Sequence, residues 1–447
     1  MELNRIEQTR LRLIKEGKKI IDLSSGNPGE FGIIFPKEIL AKAFQNFQDS
    51  PVYSADPKGN LEARAAIADF YVSHGSTFSP PGPYAGATGP IVSPRPAISS
   101  DNILLTSGTS ESYLHLFKLL ARPGDEILFP NPSYPLFDHL AQLANINLNY
   151  YELDANNGWQ LDPKNLESRI SEKTKAIVII SPNNPTGSVL NNESLSAILS
   201  IANKHNLPII SDEVFHVFQT MDTQLDINKG CEATPSLEIR NLSLEICNLP
   251  LEIPQNVQIF TLNGISKTYA LPGLKLSWIA ITGPCTAEYL QHLELSIDTL
   301  LACNQISQSM LPFIIKEGEN FLQTYCTRVQ KSRETAIRVL SKSPNISFIK
   351  PAGGFHLFAE IKNFRGVSAG PRALAHEASG TDEEFVIQMM ERTGIFVHPG
   401  YFYDYEKGLH VLISCLMEAP KLESVLDTFV KTSNELCRTR ADYRKSS

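Results

Sequence analysis

Apolar residues recur at helical spacing over 6–16, and the pattern predicts an amphipathic helix there. Ile20-Ile21-Asp22-Leu23 predicts a short strand that ends at the turn cluster Ser25-Gly26-Asn27-Pro28. A second helix is expected over 61–71. From about residue 101 the pattern changes to short apolar runs alternating with helical stretches. Strands are predicted over 103–106, 126–129, 176–180, 208–211, 257–261 and 276–281, with a helix over 111–120. Nearly continuous apolar strands separated by helices predict a mostly parallel sheet with helices on both faces. From about residue 311 helices resume. The segments 348–355, 396–400 and 411–414 then look like strands of a smaller α/β unit.

Two stretches break this alternation. Residues 79–96 are rich in Pro and Gly and predict a loop or lid. Leu-Glu-Ile recurs at 237–239, 244–246 and 251–253, seven residues apart, with Pro250 and Pro254 opposing a long helix. This run reads as a tandemly expanded loop insertion. The expected organisation is 1–45 as the N-terminal segment of a small domain, 46–310 as a large domain with insertions at about 77–99 and 229–256, and 311–447 as the rest of the small domain.

The chain has 447 residues and a formal charge of −8, with no basic stripe. That disfavours a nucleic-acid partner. No signal peptide is read at the start, and no apolar run is long enough to span a bilayer. The seven cysteines are scattered without a Cys-x-x-Cys pair, which reads as reduced thiols in a cytoplasmic protein. No metal is expected.

The chemistry-bearing residues fall where the predicted strands end. Gly108-Thr109-Ser110 follows the first strand, and Asn131-Pro132-Ser133-Tyr134-Pro135 follows the second. Asn183-Asn184-Pro185-Thr186-Gly187, Ser211-Asp212-Glu213-Val214-Phe215 and Gly264-Ile265-Ser266-Lys267-Thr268-Tyr269 come next, and Lys275 lies just beyond. Ligands on open α/β sheets bind at the carboxyl ends of the strands. A lysine able to form an imine, a carboxylate, a turn-forming Asn and a phosphate cradle are what pyridoxal 5′-phosphate (PLP) chemistry requires.

From about Asp22 to about Ser424, these motifs resemble the class I/II aminotransferases, PLP enzymes of fold type I. The resemblance implies that Lys267 forms the Schiff base and shuttles protons, and that Asp212 pairs with the pyridine nitrogen. It implies Asn184 on the 3′-oxygen and Tyr134 stacked on the ring. Gly108, Thr109 and Ser110 would cradle the phosphate with Ser266 and Lys275. Tyr53 would reach the phosphate of a neighbouring subunit, which makes a homodimer with shared sites. Gly26 and His398 would lie on the substrate side, and small amino and oxo compounds would be the substrates. Alternatives on the same scaffold are β-elimination, cyclisation or decarboxylation, or PLP binding without catalysis.

Four positions depart from the family pattern. Phe215 stands where a tyrosine donates to the 3′-oxygen. Gly264 stands where a phosphate-binding serine is common, so Ser266 or Thr109 is expected to compensate. Lys275 replaces an arginine and supplies charge without a bidentate fork. Leu412, in Val411-Leu412-Ile413-Ser414, replaces the arginine that clamps the substrate carboxylate. His398 is the candidate replacement.

Overall fold

The computed structural model describes residues 3–49, 51, 53, 55–78, 98–219, 253–364 and 381–437. In chain order, the first strands are β1 (Ile21–Asp22), β2 (Ile103–Thr106), β3 (Glu126–Asn131), β4 (Asn147–Asp154) and β5 (Gln160–Leu161). Next come β6 (Thr174–Ile180), β7 (Ile209–Asp212), β8 (Ile259–Gly264) and β9 (Ser277–Thr282). The last are β10 (Ile346–Phe348), β11 (His356–Ile361), β12 (Ile395–Phe396), β13 (His398–Pro399) and β14 (His410–Ser414).

Eight strands form one sheet in the order β2-β9-β8-β7-β6-β3-β4-β5. Strands β4, β3, β6, β7 and β8 run parallel. Strand β9 runs against both β8 and β2, so β2 points the same way as the parallel set. The carboxyl ends of β2, β8, β7, β6 and β3 therefore share one edge. Side chains alternate between faces along each strand. Ala176, Val178 and Ile180 join the cluster packed on the helices Thr109–Leu120, Phe137–Ala144 and Thr286–Leu300. Ile177 and Ile179 face the opposite way and meet Leu195, Ile198 and Leu199 of the helix Asn192–His205. Both faces are thus buried, which is why these strands are apolar without alternation. Each fully buried Ile or Leu contributes about 1.5–3 kcal/mol.

A smaller antiparallel sheet has the order β10-β11-β14-β13, and β1 pairs in parallel with β12. Leu357, Ala359, Val411 and Ile413 pack on the helices Arg5–Lys15, Glu319–Leu340, Asp382–Thr393 and Ala419–Leu436. On the other face Phe358 and Leu412 join the cluster that holds Ile177 and Ile179. The small sheet is thereby seated on the large one.

Several expected boundaries shift. The helix expected over 111–120 starts at Thr109. Its first turn is polar and makes no core contact, so hydrophobic spacing carries no trace of it. Strand β8 ends at Gly264, not residue 261, because Asn263 and Gly264 continue the ladder opposite Trp278 and Ser277. The run 348–355 is the end of β10 followed by a turn, and β11 begins only at His356. The 79–96 loop and the first two Leu-Glu-Ile repeats lie outside the described residues.

Candidate active site

Lys267 follows β8 directly, in the single helical turn Ile265–Thr268. Its Nζ donates to the Gly26 carbonyl at 2.7 Å and lies 6.0 Å from the centre of the Phe355 ring. Burial pushes its pKa down to about 8, since desolvation opposes the charged form. A Cβ at Gly26 would come within 3.5 Å of Lys267 Nζ and 3.8 Å of both His356 Nε2 and the Phe355 ring. A side chain at 26 would thus stand in contact with the amine, and Gly26 leaves that space open.

Asp212 closes β7, one strand from β8. Burial raises its pKa to about 6, opposed by hydrogen bonds from the Val214 amide at 3.2 Å and the Tyr113 hydroxyl at 2.9 Å. Among the described residues no cation pairs with this carboxylate, so a protonated ring nitrogen beside it would complete the pair. Glu213 points away from this edge. Its Oε1 accepts from the Thr77 amide and Ser211 hydroxyl, each at 3.0 Å, while Oε2 is buried without a partner. Burial pushes it up to about 7.

Asn184 leads out of β6, and its buried Oδ1 has no hydrogen-bond partner. Such an orphaned acceptor is costly unless a ligand satisfies it. Gly187 sets the turn. Its φ is +68°, and a Cβ there would lie 2.5 Å from Pro351 Cβ. Tyr134, after β3, is 41% exposed and meets Phe137 edge-on, with its ring available to a ligand.

The helix Thr109–Leu120 begins with Gly108 as its N-cap, and no side chain caps it. Its first N–H groups and dipole are therefore free for an anion. A Cβ at Gly108 would have nothing within 4 Å, so the cradle is open. Ser266 is partly exposed and Lys275 is exposed in a left-handed conformation. Gly264 has no room for a serine. A Cβ there would overlap Ser277 Oγ and lie 3.0 Å from the Leu276 carbonyl.

On the substrate side, Phe215 is buried edge-on against Phe355 and offers no donor. Leu412 is fully buried opposite Phe358 and His398 in the ladder, within the apolar cluster. His398 Nδ1 lies 3.1 Å from the Tyr403 hydroxyl, and burial lowers its pKa. The imidazole that reaches the Lys267 neighbourhood is instead His356, pushed down to about 3 by burial and then by Lys267 and His398. Sequence reasoning missed it. Its only signal is its place just after the Gly353-Gly354 turn. Tyr53 is 64% exposed. Among the described residues, no cluster of His, Cys, Asp and Glu could hold a metal ion.

An uncapped helix start, a buried acid and a near-neutral amine fit PLP. The fold and these groups define a PLP-dependent protein of fold type I. Residues 18–429 match the family of class I and II aminotransferases, and the chain belongs to that family. It is 27% identical over 446 residues to the glutamate–pyruvate aminotransferase AlaA of Haemophilus influenzae, covering 98% of this chain and 95% of that protein. It is 29% identical over 360 residues to an alanine aminotransferase of Mycobacterium bovis, covering 80% of this chain and 74% of that one. An alanine aminotransferase from Pyrococcus furiosus superposes with a TM-score of 0.76 at 26% identity, over 96% of each chain. The protein is therefore a PLP-dependent transaminase, moving an amino group between an amino donor and an oxo acceptor.

Proposed function

We propose that Lys267 carries the transamination, with Asp212, Asn184 and the Gly108–Ser110 turn holding PLP around it. The observation that carries this reading is the Lys267 amine, brought to about 8 by burial and facing the space that Gly26 keeps clear. When bound, PLP supplies an aldehyde that captures amines and a ring that withdraws electrons. Asp212 keeps the ring nitrogen protonated, and Tyr113 holds the Asp212 carboxylate in place. The Asn184 amide N–H would donate to the 3′-oxygen, and Tyr134 would lie against the ring. Gly108, Thr109, Ser110, Ser266 and Lys275 bind the phosphate.

Lys267 takes the proton from the donor carbon and returns one to the acceptor side. It does so as a neutral amine, whose share the lowered pKa increases and which grows as pH rises through about 8. His356, neutral over that range, can donate one N–H to the substrate beside Gly26. Residue 412 does not clamp a carboxylate, because Leu412 is committed to the apolar core. The curated relatives named for alanine, glutamate and pyruvate make small α-amino acids the first donors to try.

Tyr53 is exposed, which supports its reaching the phosphate of a second subunit in a homodimer. The described cysteines 285, 303, 326, 415 and 437 are all unpaired, which supports a reducing, cytoplasmic setting. The test is a screen of amino donors against purified holoenzyme, following the ring spectrum and the released oxo compound. One donor that yields stoichiometric oxo product in a half-reaction supports the proposal. Bound PLP with no turnover of any amine sinks it.

A further inference from the structure

Gly264 raises a question that the phosphate site must answer: where is the hydroxyl that this position lacks? Ser277 opens β9 and is paired in register with Gly264 of β8 on one side and Thr106 of β2 on the other. Both neighbours lead directly into the cofactor motifs, Thr106 into Gly108–Ser110 and Gly264 into Ser266-Lys267. Ser277 shares its face of the sheet with Ile279 and Ile281, which pack in the cluster around the helix Thr109–Leu120. Its side chain therefore lies on the face where that helix begins. A Cβ at Gly264 would overlap Ser277 Oγ, so the hydroxyl of 277 stands where a side chain at 264 would start. Ser277 is only 2% exposed, and among the described residues no hydrogen bond engages its Oγ. A hydroxyl without a partner, on the sheet face where an uncapped helix starts, is free to donate to an acceptor bound there.

We propose that Ser277 donates its hydroxyl to the PLP phosphate, supplying across the β8–β9 pair the contact that a serine at 264 would give. The proposal rests on the reading of Gly108–Ser110 as the phosphate cradle. It also explains the pairing of residues. A serine at both 264 and 277 would clash, whereas Gly264 with Ser277 leaves one hydroxyl in the site. Neither Ser266 nor Thr109 is then required to replace it.

Apoenzyme is titrated with PLP and with pyridoxal, which lacks the phosphate, following absorbance and fluorescence. Ser277→Ala weakens PLP binding by about 10- to 100-fold, the range for a hydrogen bond to a charged group, and leaves pyridoxal binding unchanged. Ser277→Cys, nearly isosteric, gives the same selective loss and covers the case that the alanine variant folds poorly. The exchange Gly264→Ser/Ser277→Gly moves the hydroxyl back across the strands and recovers PLP binding. Wild-type PLP affinity in Ser277→Ala, or equal weakening for PLP and pyridoxal, overturns the assignment of Ser277 alone. Wild-type enzyme that binds PLP no better than pyridoxal overturns the phosphate cradle, and this inference with it.

Discussion

Lys267 Nζ and the Gly26 carbonyl meet at 2.7 Å across 241 positions of sequence. Gly26 lies just beyond β1, which belongs with the small sheet elements, while Lys267 lies in the turn that follows β8 of the large sheet. The amine proposed to carry the chemistry is thus held at the seam where the chain's beginning meets its middle. Replacing Lys267 by alanine removes the amine proposed to attach PLP. Turnover should fall by at least about 10⁴-fold, with no borohydride-trapped adduct at this position. Trapping on a different lysine counts against the assignment.

The lowered pKa of Lys267 sets a pH dependence. Its folded value of about 8 lies below the ordinary 10.5, so the reactive free amine grows in as pH rises through 8 and is full above it. The rate of PLP capture by apoenzyme should rise with pH, bend near 8 and flatten. A bend near 10.5 would mean an amine still in water.

Asp212→Ala should keep part of the PLP binding and lose about 10²- to 10³-fold in rate, as for removal of one preorganised electrostatic group. Tyr113→Phe removes the 2.9 Å hydrogen bond that lowers the pKa of Asp212. Its rate loss should be smaller, and the acid limb of its pH profile should move to higher pH. An unshifted limb would show that Tyr113 only fills space.

Glu213 predicts a stability effect distinct from catalysis. Its folded pKa, about 7, lies above its unfolded 4.5, so its contribution is full below 4.5 and is lost as pH rises through 7. Glu213→Gln should therefore flatten the fall in apoenzyme melting temperature between pH 5 and 8. Parallel curves for the two proteins would contradict a strained buried carboxylate.

Leu412 fills the apolar contact between the two sheets. Leu412→Ala should cost about 2–5 kcal/mol, read from chemical denaturation. Leu412→Arg should cost more, since a guanidinium would be buried without a partner. A stable Leu412→Arg enzyme with faster turnover of α-amino acids would instead place residue 412 in the substrate site.

The sequence by itself determined the parallel sheet, because strands buried on both faces must be apolar throughout. It also determined the edge at which the motifs gather, because each follows the end of such a strand. The short strands and the start of the helix at Thr109 were less legible, since their boundaries rest on ladder pairing and uncapped polar turns. The antiparallel course of β9 is likewise invisible in an apolar run, and with it the meeting of Ser277 and Gly264. Only the tertiary structure brought His356 to Lys267 and consigned Leu412 to the core. Both lie on the small sheet, and what a residue there touches depends on how that sheet seats on the large one. That contact joins segments far apart in the chain, and no local pattern encodes it.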